Sequence, residues 1–410
     1  MADATLTIAT PGRVAQLTTL PPLSLYVHIP WCVRKCPYCD FNSHEIREGG
    51  SSASDPHSRD RGLTAELEAR YAAALTADLE VALPSVWGRR VHTVFFGGGT
   101  PSLLSARALD NILSAIRARL TISPDAEITL EANPGTFEAQ KFADFRRLGI
   151  NRLSIGIQSF NPRHLKALGR IHDETEARRA VEIAQAIFDN FNLDLMYALP
   201  AQTLEEAQAD IAAAIAMAPT HISAYHLTIE PNTLFHRHPP DVPDDELSAT
   251  MQEEIEGMLA AAGYDHYETS AFAQPGRESR HNLNYWRFGD YLGIGAGAHS
   301  KISLPDRIFR QMRYKNPREY MEQALAGRPV QQENDIAVAE LPFEFMMNAL
   351  RLTRGFSISM LTERTGLSIG AIMKQLEKAE SLGLITRDHE RIVPTLRGQR
   401  FLNELLQLFL

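Results

Sequence analysis

Cysteine is almost absent from this chain. Its 410 residues include only three, and an odd, clustered set argues against a disulfide framework and suits a reducing compartment. No run of 18 apolar residues occurs, so we expect no membrane-spanning helix. The N-terminus has no basic segment followed by an apolar core, so we expect no secretory signal. These absences predict a cytoplasmic protein.

An excess of positive charge is also missing. The formal net charge is −9 and the sequence pI is about 5.9, so general affinity for nucleic acid is not expected. The composition is otherwise that of an ordinary globular protein. The length allows one large domain and a smaller one.

The three cysteines lie together in residues 26–41, which read Y-V-H-I-P-W-C-V-R-K-C-P-Y-C-D-F. Their spacing, C-x3-C-x2-C, places three thiolates in one short loop after an apolar segment, 23–29, that is typical of a buried strand. Thiolates are the preferred ligands of iron–sulfur clusters. Structural zinc sites close with four ligands in paired sets, so zinc or three idle cysteines are the weaker alternatives. We predict that Cys32, Cys36 and Cys39 hold three irons of a [4Fe–4S] cluster and leave the fourth iron open.

Strand-like and helical segments alternate after this loop. The predicted strands are 23–29, 91–96, 127–132, 152–157, 192–197 and 221–229. Strands that alternate with helices of 10–15 residues indicate a parallel sheet with right-handed crossovers. Six units are too few for a closed eight-stranded barrel. The predicted fold class is therefore α/β, a partial (β/α)6 barrel.

The pattern changes after residue 240. We predict a flexible arm over 1–22, the barrel over 23–240 with a flexible insertion at 45–61, a barrel extension over 241–335, and a C-terminal module over 336–410. The last module has a helix–turn–helix and strand-pair pattern typical of a winged-helix-like α+β unit. Its second helix carries only two lysines, which favours an interaction or lid module over DNA contact.

The cysteine spacing after a strand resembles the radical S-adenosylmethionine (SAM) superfamily. The wider context, H-I-P-W-C-x3-C-x-Y-C, resembles its oxygen-independent coproporphyrinogen III oxidase-like family, from Leu23 to the C-terminus without the insertion. The resemblance implies that SAM chelates the open iron. It also implies that an electron from the cluster can cleave SAM to methionine and a 5′-deoxyadenosyl radical.

Polar residues and glycines at consecutive strand ends match positions where that family contacts SAM. Each taken singly is more often a surface or structural residue. A glycine run after a strand permits close approach of a ligand, a guanidinium can clamp a carboxylate, and a buried carboxylate needs a partner. The resemblance implies SAM contacts by Tyr26, Tyr38, Cys39, Asp40, Gly98, Gly99, Thr100, Glu131, Gln158, Arg170 and Asp194.

Two features separate the branches of the family. The oxidases extend the motif to C-x3-C-x2-C-x-C, whereas this chain has Phe41 at the last position. The chaperone branch carries H-N-x-x-Y-W, found here at residues 281–286. This hexapeptide is either an ordinary strand with core aromatics or part of a porphyrin pocket. The candidate heme neighbours are His281, Asn282, Tyr285, Trp286 and His299.

The resemblance therefore implies a heme chaperone that binds the cluster, SAM and heme. Heme-acceptor proteins at the membrane are the implied recipients, with peripheral association at the membrane. A ferritin-type heme donor, a reductant and a homodimer stay open as partners. The alternatives are a coproporphyrinogen III oxidase and an unrelated radical SAM enzyme.

Overall fold

The computed structural model describes residues 17–46, 63–136 and 138–410. The predicted arm up to residue 16, and the predicted insertion from residue 47 on, lie outside this part of the chain. The first half alternates strands and helices. Its elements are β1 (Leu23–Ile29), β2 (Trp31–Cys32), β3 (His44–Glu45), α1 (Ala65–Val86), β4 (Arg90–Gly98), α2 (Ala106–Arg119), β5 (Thr121–Ala132), α3 (Ala139–Leu148), β6 (Arg152–Gln158), α4 (Pro162–Ala167), α5 (Glu174–Ile187), β7 (Phe191–Tyr197), α6 (Leu204–Ala216), β8 (His221–His226) and α7 (Leu234–Arg237).

The second half adds strands at both edges of the sheet and then a separate small sheet. Its elements are α8 (Asp245–Ala261), β9 (Asp265–Glu268), β10 (Ala271–Ala273), α9 (Arg280–Trp286), β11 (Asp290–Ile294), β12 (His299–Ser303), β13 (Ile308–Arg313), α10 (Pro317–Leu325), β14 (Val330–Asp335), α11 (Leu341–Ala349), β15 (Phe356–Ser357), α12 (Ile358–Thr365), α13 (Met373–Ser381), β16 (Ile385–Arg387), β17 (Arg391–Pro394), α14 (Leu396–Arg400) and α15 (Leu402–Gln407).

Twelve strands form one sheet in the order β14-β13-β12-β11-β1-β4-β5-β6-β7-β8-β10-β9. The stretch from β11 to β8 is parallel throughout. The outer strands on both sides pair antiparallel. The predicted six-stranded parallel barrel is confirmed, and β11 continues it beyond β1.

Side chains along the parallel strands alternate between the two faces of the sheet. This alternation separates the hydrophobic core from the lumen, which is the space inside the barrel. On β1, Leu25 and Val27 are fully buried in the main hydrophobic core, while Tyr26 and His28 point to the other face and hydrogen-bond to each other. Successive side chains of a strand point to opposite faces. The outer face therefore packs apolar residues under the helices, and the inner face encloses a polar lumen whose carboxyl-terminal end is open to ligands.

The hexapeptide at 281–286 corrects one expectation, because it forms helix α9 and not a strand of the sheet extension. Ser279 caps the helix by accepting a hydrogen bond from the Asn282 amide. Glu127 accepts hydrogen bonds from the amides of Arg280 and His281 at 3.2 and 3.1 Å. These caps satisfy the free N–H groups of the first turn. The carboxylate of a distant strand thus fixes the helix, and α9 closes the amino-terminal end of the lumen.

The C-terminal region has its own hydrophobic core, built around Phe345, Leu361 and Leu376. Helices α11–α13 accompany the three-stranded sheet β15-β17-β16, whose first strand lies between α11 and α12, and this gives the expected helical and winged arrangement. Phe288, which follows α9, belongs to this second core, so the region packs directly on the barrel extension. No helix in the described ranges is long and apolar enough to cross a membrane.

Candidate functional site

A cavity of about 340 Å³ opens at the carboxyl-terminal ends of the barrel strands. The loop after β1 and the ends of β4, β5, β6 and β7 supply its walls. Of the residues predicted at the site, those that line it are Cys32, Cys36, Tyr38, Cys39, Asp40, Gly98, Gly99, Thr100, Glu131, Gln158, Arg170 and Asp194. The structure therefore brings together residues that are up to about 160 positions apart in the sequence.

The cysteine loop is held at both ends by backbone pairing. Strands β2 and β3 pair in parallel, with Trp31 opposite His44, and the Thr100 amide donates to the Trp31 carbonyl at 2.7 Å. Inside the loop, the Cys39 amide donates to the Cys36 carbonyl at 3.2 Å. This backbone frame places the three thiols at the cavity.

Each sulfur has at least one polar neighbour. The Thr100 hydroxyl donates to Cys32 Sγ at 3.5 Å, and Arg170 Nη1 donates to Cys36 Sγ at 3.7 Å. Cys39 Sγ lies 3.7 Å from Ser43 Oγ. Burial raises the pKa of the Cys32 and Cys39 thiols, and the hydroxyls of Thr100 and Ser43 oppose that shift. Such outer-sphere donors stabilise thiolate ligands and tune cluster potentials.

The thiols suit a cluster better than a single ion. In the part of the chain that the structure describes, no three His, Cys, Asp or Glu side chains converge on one metal ion. A [4Fe–4S] cluster does not need such convergence, because each thiolate binds a different iron. Three thiols spread around one cavity, each with a hydrogen-bond donor, are the donor set that this cluster requires.

The glycine turn after β4 lies against the cysteine loop. Gly98 has φ of +112°, and a Cβ there would lie 2.5 Å from the His28 ring. A Cβ on Gly99 would lie 2.5 Å from the Trp31 carbonyl oxygen. Only glycine fits these positions without moving the loop. The turn therefore brings its backbone and Thr100 to the edge of the cluster site.

Two half-buried carboxyl groups face the cavity below the turn. Glu131 accepts a hydrogen bond from the Gly98 amide at 3.1 Å, and burial together with the nearby Asp194 raises its pKa to about 8. Asp194 accepts from Ser154 and Asn192 at 2.9 and 2.8 Å, and burial raises its pKa as well. Two neighbouring carboxyl groups with raised pKa values favour a positively charged ligand.

Arg170 reaches the cavity from the turn after α4. Its guanidinium donates to the Gly156 carbonyl at 2.6 Å and to Asn133 Oδ1. Asn133 Nδ2 donates in turn to Thr100 Oγ1 at 3.1 Å. Sequence reasoning missed Asn133, although an Asn-Pro pair at the end of a strand could have indicated it. This amide links the arginine to the glycine turn.

Tyr26 lies beneath the cavity and does not line it. Its hydroxyl is 3.0 Å from His28 Nδ1. A Cβ built on Gly97 would lie 3.0 Å from the Tyr26 ring and 3.2 Å from Glu131 Oε2. Tyr26 therefore packs beside Gly97 and Glu131, at the base of the cavity.

The candidate heme neighbours do not form one pocket. His281 is 1% exposed, its Nδ1 and Nε2 lie 2.8 and 3.1 Å from Thr93 Oγ1 and the Tyr285 hydroxyl, and burial lowers its pKa to about 3. It sits on α9 at the closed end of the lumen. His299 is exposed at the start of β12, near the open end. Asn282, Tyr285 and Trp286 are half-buried on α9.

Comparison with known families gives two matches. The radical SAM superfamily matches residues 26–214, which include the cysteine loop and the strand ends described above. The HemN C-terminal domain matches residues 336–401, which is the region with the second core.

Full-length relatives are similar over nearly the whole chain. The heme chaperone HemW of Escherichia coli (strain K12) is 48% identical, with 96% of this chain and all of the relative covered. HemW of Haemophilus influenzae is 46% identical, with 95% and 98% covered. HemW of Bacillus subtilis is 33% identical, with 94% and 99% covered.

A solved structure shares the fold. The coproporphyrinogen III oxidase HemN of Escherichia coli, described as a radical SAM enzyme, superposes with a TM-score of 0.78 at 23% identity. The alignment covers 95% of this chain and 90% of the oxidase. At this identity the likeness shows a common architecture, including the C-terminal region.

Proposed function

The chain belongs to the HemW family of the radical SAM superfamily, and we propose that it is a heme chaperone with a [4Fe–4S] cluster and SAM as cofactors. The observation that carries the proposal is the similarity to named heme chaperones over nearly the full length. Phe41 adds to it, because it lies in the cavity wall at the position where the oxidases carry a further cysteine.

Different residues at the open end of the lumen would bind the cluster and SAM. Cys32, Cys36 and Cys39 would bind the cluster, and the glycine turn would receive the methionine amine. Arg170 would bind the carboxylate through its guanidinium. Glu131 and Asp194 would hold the ribose or offset the positive charge of SAM. When both are bound, the cluster and SAM together can supply a carbon-centred radical.

Heme would be passed to acceptor proteins at the respiratory membrane. We propose to test three partners, which are a ferritin-type heme donor, an electron-transfer partner and a second copy of this chain. The residues that carry heme stay a prediction. Of the two candidate histidines, His299 is exposed, whereas His281 would have to leave two hydrogen bonds before it could bind iron.

The decisive comparison offers the reduced, reconstituted protein two substrates in the presence of SAM. With hemin we expect a stable complex with a new Soret absorbance. With coproporphyrinogen III we expect no decarboxylated product by chromatography and mass spectrometry. Decarboxylated porphyrinogen would overturn the chaperone proposal in favour of an oxidase. Absence of both activities would point to a different substrate within the radical SAM superfamily.

The heme ligand is then sought with two variants. His299→Ala should alter the Soret spectrum of the heme complex while leaving the cluster absorbance unchanged. His281→Ala should leave the spectrum unchanged if α9 stays in place. An altered spectrum in His281→Ala, at unchanged thermal stability, would show that α9 opens to admit heme.

A further inference from the structure

A row of polar side chains crosses four neighbouring strands in the lumen. Glu131, Ser154, Asn192 and His221 are partners in register on β5, β6, β7 and β8. Glu131 and Ser154 line the cavity at the cysteines, as does Asp194, which follows Asn192 by two residues. Asn192 and His221 are 2% and 1% exposed. The cofactor contacts proposed above include Glu131 and Asp194 but neither Asn192 nor His221.

Asn192 connects this row to the carboxyl group of Asp194. Asn192 Nδ2 donates to Asp194 Oδ1 and to Ser154 Oγ, both at 2.8 Å. Ser154 Oγ donates in turn to Asp194 Oδ2 at 2.9 Å. Both carboxyl oxygens therefore accept a hydrogen bond from the row. These donors favour the ionised form of Asp194 and so oppose burial, which raises its pKa.

The Asn192 amide can hold Asp194 in only one of its two orientations. A flipped amide would place Oδ1 against the Asp194 carboxylate, and two acceptors repel each other. On its other side, Asn192 Oδ1 lies 2.7 Å from His221 Nδ1 and accepts a hydrogen bond from Ser223 Oγ at 3.1 Å. A hydroxyl can donate or accept, so Ser223 is compatible with either orientation. The imidazole of His221 selects one of them when its proton lies on Nδ1.

Tyr267 and burial determine where the proton of His221 lies. The Ser279 amide donates to the Tyr267 hydroxyl oxygen at 3.2 Å, which leaves the hydroxyl proton for His221 Nε2, 2.8 Å away. Burial, together with the nearby Arg152, lowers the pKa of His221 well below its usual value. A neutral imidazole that accepts at Nε2 carries its single proton on Nδ1 and donates from there.

We propose that His221 is a positioning residue for SAM binding, because it selects the orientation of Asn192 that holds the Asp194 carboxylate at the cavity. An apolar side chain at position 221 would leave Asn192 Oδ1 with the Ser223 hydroxyl alone, and the amide would be free to turn. The inference rests on the SAM binding proposed above, and it is independent of heme.

The test compares two amide substitutions of His221 in the full chain with its cluster reconstituted. An asparagine amide reaches the position of Nδ1, whereas a glutamine amide reaches toward that of Nε2. His221→Asn can therefore still donate to Asn192, and His221→Gln keeps only the contact with Tyr267. His389→Gln is the control, because the His389 side chain is 88% exposed. Calorimetry measures SAM affinity, and circular dichroism and iron content verify that each variant is folded and loaded.

We expect His221→Gln to weaken SAM binding by about tenfold, and His221→Asn and His389→Gln to stay within about threefold of the wild type. In an Asp194→Asn background, His221→Gln should have no further effect, because the carboxylate through which it acts is absent. A role in packing alone would instead weaken both amide variants of His221 equally, or would add to the effect of Asp194→Asn. Either result would overturn the proposal.

A second measurement detects the proton of His221 directly and needs no SAM. In protein labelled with ¹⁵N-histidine, the imidazole signals that disappear in His221→Gln should show protonation at Nδ1. Protonation at Nε2 would overturn the proposal whatever the affinities. A wild-type protein that fails to bind SAM would overturn the proposed function, whereas normal SAM binding that His221→Gln leaves unchanged would overturn only this inference.

Discussion

Glu127 and Glu131 lie on the same face of β5, and they differ in where their hydrogen-bond partners come from. Glu127, toward the closed end, receives two backbone N–H groups of α9. Glu131, toward the open end, receives one from Gly98 and lies beside a second carboxyl group. Both oxygens of Glu127 accept a backbone hydrogen bond, whereas at Glu131 only Oε2 accepts one from a described residue. A buried polar residue is thus structural or functional according to its partners.

The same contrast extends to the other residues of the two ends. At the closed end, His281 has both ring nitrogens within hydrogen-bond distance of hydroxyl groups. At the open end, the three thiols border the cavity and are the preferred ligands of iron–sulfur clusters. We therefore expect substitutions at the open end to change ligand binding, and substitutions at the closed end to change stability.

The largest expected effect is at the cluster. Cys36→Ala should abolish the absorbance at roughly 400 nm that comes from thiolate-to-iron charge transfer. It should also lower bound iron and sulfide to background. The unfolding temperature of the cluster-free protein should stay unchanged, because Cys36 lies in a loop outside the hydrophobic cores. A variant that retains full iron and sulfide would reject the ligand assignment.

The second-largest expected effect is the pH dependence of SAM binding, which we attribute to Glu131. Without a ligand its pKa is about 8, so the carboxyl is mostly protonated below pH 8. The positive charge of SAM would lower that pKa, so binding would release a proton. Affinity should rise as pH rises toward 8, by up to about tenfold per pH unit. Glu131→Gln should remove this slope and weaken SAM binding by about 10- to 100-fold at pH 8.

Calorimetry in buffers of different ionisation enthalpy measures the released proton. The amino group of SAM titrates in the same range, but Glu131→Gln retains that contribution. The difference between the two proteins therefore isolates the carboxyl group. An identical slope in both proteins would show that Glu131 does not sense the ligand's charge.

The third expected effect is a loss of folding stability when Glu127 is replaced, with SAM binding unchanged. Glu127→Ala removes the acceptor of two amides at the start of α9, and we expect the free energy of unfolding to fall by about 2 kcal/mol. Urea unfolding of the cluster-free protein measures it. Glu253→Ala, on the exposed face of α8, is the control and should unfold at the wild-type midpoint. If Glu127→Ala weakened SAM binding as strongly as Glu131→Gln, the distinction between the two ends would fail.

The open end was more predictable from the sequence than the closed end. Cys32, Cys36 and Cys39 are adjacent in the sequence, and the carboxyl ends of parallel strands meet at one edge whatever the details of packing. Helix α9 depends on a carboxylate 154 positions earlier in the chain, and its aromatic residues favour a strand by propensity alone. Local patterns could not indicate contacts of this kind, because tertiary packing creates them.

The smallest effect tests how finely the open end is adjusted. The Thr100 hydroxyl donates to Cys32 Sγ at 3.5 Å, and a donor to a cluster sulfur stabilises the reduced, more negative state. Thr100→Val should keep the full complement of iron and shift the reduction potential to more negative values, by an amount on the order of tens of millivolts. Thr129→Val is the matched control, because Thr129 points into the lumen and its hydroxyl has no partner among the described residues. Redox titration followed by electron paramagnetic resonance measures both variants. Equal potentials would show that the hydroxyl only supports Asn133, to which it is also hydrogen-bonded, and that the polar neighbours of the sulfurs position the loop without tuning the cluster.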